Sequence, residues 1–163
     1  MKKITLILAL LASLALAATA AAAVIVGTDG DDTIVGTPDA DTIYAKAGND
    51  RVSALGGDDL VYAGLGNDGV FGGDGNDTLN GGGGRDALAG GNGDDTLNGG
   101  GGRDWLHGGP GADTLNGGRG NDVIDARDGA GGDTVTCGDG EDTVYADAGD
   151  TVASDCEHVF TSS

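Results

Sequence analysis

Large apolar side chains are scarce in this chain: two Phe, one Trp, three Tyr and one Met stand among 163 residues. That is too little bulk for an ordinary globular core. Basic residues are scarce too, with eight Lys and Arg against 27 Asp and Glu, a formal charge of −19. So acidic a chain repels phosphate backbones, which excludes nucleic acid as a partner. Catalytic equipment is equally thin. Beyond the leader the serines are Ser53, Ser154, Ser162 and Ser163, none in a G-x-S-x-G setting, and the histidines are His107 and His158 alone. They suit a surface better than a catalytic base, so no enzyme is expected. High charge with little oil ordinarily means disorder. Here the acid is periodic, and that decides against it.

One long apolar run exists, at the start. Lys2 and Lys3 follow Met1, then comes an apolar stretch from Ile4 to Ala18 and alanines to Ala23. A positive start, a short apolar core and a small-residue end predict a secretory signal peptide over residues 1–23 rather than a membrane anchor. No second stretch is long enough to span a bilayer. The expected product is secreted and extracellular, without a membrane span. In that compartment Cys137 and Cys156, the only cysteines, read as one structural disulfide rather than a metal site.

The remainder keeps a period of nine. Aspartates stand at Asp32, Asp41, Asp50, Asp59, Asp68, Asp77, Asp86, Asp95, Asp104, Asp113 and Asp122, and two places after each is Ile, Val or Leu. Six consecutive units read G-G-x-G-x-D, opening at Gly72, Gly81, Gly90, Gly99, Gly108 and Gly117. The five earlier units, "GTDGDD", "GTPDAD", "AKAGND", "ALGGDD" and "AGLGND", keep the Asp and lose glycines. After Asp125 "ARDGAGGDTVT" carries two extra residues, and "ADAGDTVAS" is one short before Asp150.

Glycine at this density excludes helix. The unit divides into a six-residue turn and a three-residue strand whose middle aliphatic faces inward. So short a strand must stack on copies of itself. Two units make a coil of 18 residues, and coils stack as parallel ladders, wound right-handed as other parallel crossovers are. The expected fold is all-β: a right-handed parallel β-roll over residues 24–145, with a disulfide-closed cap over 146–163. In that winding Asp77 meets Asp95 and Asp113 on one edge, while Asp86 meets Asp104 and Asp122 on the other. Stacked carboxylates repel, and the chain's own cations are too few to neutralise them. Calcium suits the gap: it takes six to eight oxygens in irregular cages of carboxylates and backbone carbonyls. Magnesium wants a tighter octahedron, and zinc lacks its usual ligands. With one aliphatic per nine residues, binding energy becomes folding energy.

The nonapeptide G-G-x-G-x-D-x-U-x resembles that of the RTX (repeats-in-toxin) family, over about Gly27 to Tyr145. The resemblance implies a calcium-dependent β-roll with the Asp of each turn as ligand. That role passes to Asp77, Asp86, Asp95, Asp104, Asp113 and Asp122, with the opening glycines of their turns. At Asp32, Asp41, Asp50, Asp59 and Asp68 the sites are expected to be weaker or incomplete, most of all in "GTPDAD" and "AKAGND". Pairing the aspartates eighteen apart gives about four to nine ions. RTX toxins and enzymes usually carry a catalytic or pore-forming domain and an uncleaved C-terminal signal; the N-terminal leader here is a departure.

The resulting expectation is a secreted, non-enzymatic calcium-binding protein serving as scaffold, adhesion module or calcium buffer, with a cell-surface or glycan partner. Two alternatives use the faces of the roll. Trp105 flanks Leu106, should point outward, and would serve a carbohydrate-binding or enzyme-accessory module. "TLN" recurs at Thr78–Asn80, Thr96–Asn98 and Thr114–Asn116 on one side, the kind of rank an ice-binding surface needs.

Overall fold

The structure is a computed structural model that describes residues 22–130 and 132–162; the leader proposed for residues 1–23 lies almost wholly outside the described residues. Every regular element among those residues is a strand. They follow in chain order as β1 (Val24–Val26), β2 (Thr33–Val35), β3 (Thr42–Ala47), β4 (Arg51–Gly56), β5 (Leu60–Leu65) and β6 (Gly69–Asp74). Next come β7 (Thr78–Gly84), β8 (Ala87–Asn92), β9 (Thr96–Gly102), β10 (Trp105–His107) and β11 (Thr114–Arg119). The last are β12 (Val123–Asp125), β13 (Thr134–Asp139), β14 (Thr143–Ala146), β15 (Thr151–Val152) and β16 (His158–Thr161). Odd strands form one eight-stranded sheet and even strands the other, each in strict sequence order. Every pairing is parallel. This is a β-solenoid of about eight turns.

Registers follow the period of the sequence. Thr78 pairs with Thr96 and Thr96 with Thr114, eighteen residues per coil. Thr114 then pairs with Thr134, twenty residues on, because the two extra residues are absorbed in the loop after Asp125. The short unit appears in the next step, where Thr134 pairs with Thr151. Strands β15 and β16, both from the tail, add a final rung to each sheet. Cys156 in that tail bridges to Cys137, with the α-carbons 5.2 Å apart.

Strand length departs from the expected three residues. Most strands run six or seven, such as Thr42–Ala47 and Thr78–Gly84. The ladder continues past the aliphatic through the first glycines of the next motif, pairing Gly82 with Gly100. The turn proper shrinks to about three residues. A second inward position follows, at the place where each motif opens. It is glycine in the full repeats but Ala45, Ala54 and Ala63 in three of the degraded ones, then Ala126, Cys137 and Ala146, all at most 1% exposed. The degraded units thus trade glycine for core.

The core is a double row of aliphatics between the sheets: Ile43, Val61, Leu79, Leu97, Leu115 and Val135 from one, Val52, Val70, Leu88, Leu106, Ile124 and Val144 from the other. Flanking residues face out. Tyr44 stacks on Tyr62 with ring centroids 5.2 Å apart, and Tyr145 on Phe160 at 5.4 Å. The outward rank Thr78, Thr96 and Thr114 extends in register through Thr134 and Thr151. Trp105 is outward as well, stacked on His107 at 5.7 Å, and His107 lines a shallow groove with Phe71, Ala89, Asn92 and Pro110.

Candidate metal ladders

Each coil turns back at its two edges, and there the aspartates line up. The backbone N–H of one Asp donates to a carboxylate oxygen of the Asp one coil on. On one edge Asp59 donates to Asp77, Asp77 to Asp95, Asp95 to Asp113 and Asp113 to Asp133, at 2.7–2.8 Å. On the other Asp50 donates to Asp68, Asp68 to Asp86, Asp86 to Asp104, Asp104 to Asp122 and Asp122 to Asp142, at 2.7–2.9 Å. The ladders cross the two-residue insertion after Asp125 and end in the tail. Asp133 and Gly132 donate to Asp150, and Asp142 donates to Glu157. The stacked aspartates therefore meet through a main-chain amide on one oxygen, which relieves part of the repulsion between them.

The other oxygen has no such relief. The Oδ2 atoms of Asp50, Asp59, Asp68, Asp77, Asp86, Asp95, Asp104, Asp113, Asp122, Asp133 and Asp142 are all buried and without a hydrogen-bond partner. Two parallel rows of bare carboxylate oxygens run along the roll, one from Asp50 to Asp142 and the other from Asp59 to Asp133. Burial pushes the Asp95 carboxyl up to about 7; the amide of Asp77 holds it down, while the charges of Asp77, Asp113 and Asp94 raise it further. Asp59, Asp86, Asp122 and Asp133 rise to about 6 for the same leading reason. A buried, unpaired carboxylate is costly, and a cation would remove that cost.

The turn backbone is shaped to supply further oxygens. In the full motif the second and fourth residues both take positive φ, as at Gly73 (127°) and Gly75 (131°). Their carbonyls press on the coil that follows: a Cβ added at Gly91 or Gly93 would overlap the carbonyl oxygen of Gly73 or Gly75. The glycines that open the motif sit beneath the carboxylates. A Cβ at Gly72, Gly81, Gly90, Gly99, Gly108 or Gly117 would collide with Oδ2 of Asp77, Asp86, Asp95, Asp104, Asp113 or Asp122. Among the described residues no three His, Cys, Asp or Glu side chains converge as a metal group. A cation here would complete its shell from backbone carbonyls and water, which suits a hard oxygen-seeking ion of flexible geometry.

A scan against family models matches the RTX calcium-binding nonapeptide repeat in overlapping copies, over residues 19–52, 26–61, 35–70, 55–88, 62–97, 71–106, 89–124 and 125–152. The chain belongs to the RTX calcium-binding nonapeptide repeat family. It is a calcium-binding β-roll, and the rows of bare oxygens fit the ion that such repeats hold. Comparison with curated proteins returns no match.

Within the RTX roll, the degraded repeats divide in a way their glycine content does not announce. "AKAGND" and "ALGGDD" adopt the same turn as the full motif, with Lys46 at φ 84° and Leu55 at φ 87° where the motif has glycine. Asp50, Asp59 and Asp68 accordingly carry the bare oxygen. "GTDGDD" and "GTPDAD" do not: Thr28, Gly30, Thr37 and Asp39 lack the positive φ. Asp133 and Asp142 belong to the ladders although they lie beyond the unbroken period. The signal for them was the aspartate ahead of Thr-Val in "GDTV" and "EDTV". A further zipper runs the opposite way on the residue before each ladder Asp. Asn76 donates its N–H to Asp58, Asp94 to Asn76 and Ala112 to Asp94, at 2.8–2.9 Å. Each turn is thus tied to the coil on either side.

Proposed function

We propose that the chain is a secreted, non-enzymatic protein whose roll sets when it meets calcium outside the cell, where it serves as a scaffold, adhesion module or calcium buffer. The observation that carries this is the double row of buried, unpartnered Asp oxygens. Without a cation they oppose folding; with one they bind neighbouring coils together. Cytosolic calcium is too low to fill such sites, so the chain travels unfolded and folds on arrival. The leader-like residues 1–23 and the Cys137–Cys156 bridge support export. Calcium titration followed by far-UV circular dichroism tests the reading. The expected result is little β-structure in excess chelator and a cooperative gain on adding calcium. A spectrum fully folded in chelator would sink it.

A second reading, a carbohydrate-binding or accessory module, draws on the groove beside Trp105. Trp105 is 42% exposed and Phe71 48%; Phe71 and His107, on which Trp105 stacks, line the groove with Asn92 and Asp74 as its polar groups. A glycan array distinguishes it: binding that disappears in Trp105→Ala favours this reading, and no binding removes it.

A further inference from the structure

The first two aspartates of the period differ from the rest in one respect. Oδ2 of Asp32 accepts the Thr28 amide at 2.6 Å and the Thr28 hydroxyl at 3.0 Å. Oδ2 of Asp41 accepts the Thr37 amide at 2.7 Å, while the Thr37 hydroxyl reaches Oδ1 at 3.1 Å. The hydroxyls also hold the turns: the N–H groups of Gly30 and Asp39 donate to them at 3.3 Å. Asp41 is as buried as the later ladder aspartates, at 3% exposure, yet no oxygen of it is bare. Two turns on opposite edges solve the same problem with the same residue, at the second place of the motif, where later turns have a residue of positive φ. The threonines stand where the motif's glycine would, and their donors occupy the oxygen that calcium would take.

We infer that Thr28 and Thr37 replace the cation in the first coil, so that Asp32 and Asp41 are not calcium ligands and ion binding begins with Asp50 and Asp59. The first coil then acts as a metal-free end on which the ion-bound coils stack. Its acids are satisfied by the chain itself, and among the described residues no earlier coil stands beyond it to share an ion. The other nine aspartates of the unbroken period each have a glycine, or Lys46 or Leu55, at positive φ in that second place and a bare oxygen with it. This inference rests on the calcium-ladder reading above.

Native mass spectrometry of the calcium-loaded chain tests it by counting ions. Asp32→Asn and Asp41→Asn should retain the wild-type count, whereas Asp77→Asn and Asp95→Asn should each lose at least one ion. Loss of an ion in Asp32→Asn or Asp41→Asn overturns the inference. A wild-type chain that binds no calcium overturns the ladder itself. If the Asn variants do not fold, the pair Thr28→Val and Thr37→Val serves instead. It should keep the ion count and lower the urea midpoint of the loaded chain. A lost ion or an unmoved midpoint would show that the threonines do not hold those acids.

Discussion

Lys46 and Leu55 show what the turn demands of a single residue. Both hold φ near +85°, a conformation that costs an L-residue about 1–2 kcal/mol. Neither side chain is needed for packing, since Lys46 is exposed and Leu55 is 44% exposed. Lys46→Gly and Leu55→Gly should therefore each stabilise the calcium-loaded chain. The gain is about 0.5–1 kcal/mol after the extra freedom glycine brings to the unfolded chain. The opposite exchange has the opposite sign. Gly93→Ala, at the fourth place of the motif, puts an L-residue at φ 126° and drives a Cβ into the carbonyl oxygen of Gly75; it should cost about 2 kcal/mol or more. Urea unfolding in saturating calcium measures all three, and a gain in Gly93→Ala would contradict the geometry. At this scale the sequence was legible where one rule acted alone. Aspartates spaced by nine had to stack, and they do. What could not be read was which glycine losses matter. Lys46 and Leu55 are forced into the turn by the neighbouring coils, while Thr28 and Thr37 bring a hydroxyl that makes a different turn satisfactory.

Elements of this roll have almost no independent stability, because a strand of two to seven residues has no meaning without the strands on either side. The period of nine made the parallel ladders and the eighteen-residue coil predictable. Strand length was not, because it depends on whether the ladder hydrogen bonds continue into the glycines, and only the packed neighbour decides that. The last rungs test the dependence. Strand β15 has two residues, β16 is exposed along its length, and Cys156 is fixed to Cys137 in the core. Closing a loop of 19 residues is worth about 3 kcal/mol by loop entropy. Replacing both cysteines with Ala should strip hydrogen-exchange protection from Thr151–Val152 and His158–Thr161, even in saturating calcium, and leave Thr78–Gly84 protected. Equal loss along the whole roll would mean the bridge holds the molecule together globally and does more than fasten its end.

For the whole molecule the governing quantity is the charge stored in the two ladders, and its pH dependence has a definite sign. The aspartates that burial raises ordinarily titrate near 3.8; in the folded roll burial brings Asp59, Asp86, Asp122 and Asp133 up to about 6 and Asp95 to about 7. Between those values the folded chain binds more protons than the unfolded one, so the metal-free fold loses stability as pH rises from about 4 to about 7. Asp125, drawn down by its hydrogen bonds to Arg127, pulls the other way but stands against the whole ladder. Calcium reverses the trend, because protons and calcium compete for the same oxygens and the ion gains as protons leave. In chelator, then, the chain should show more β-structure at pH 4.5 than at pH 7.5. In saturating calcium it should be folded at pH 7.5, and its calcium midpoint should rise on acidification. Circular dichroism at the two pH values, with and without calcium, measures all four states. If the chelated chain were no more ordered in acid than at neutral pH, the buried oxygens would not be what keeps the empty roll from forming.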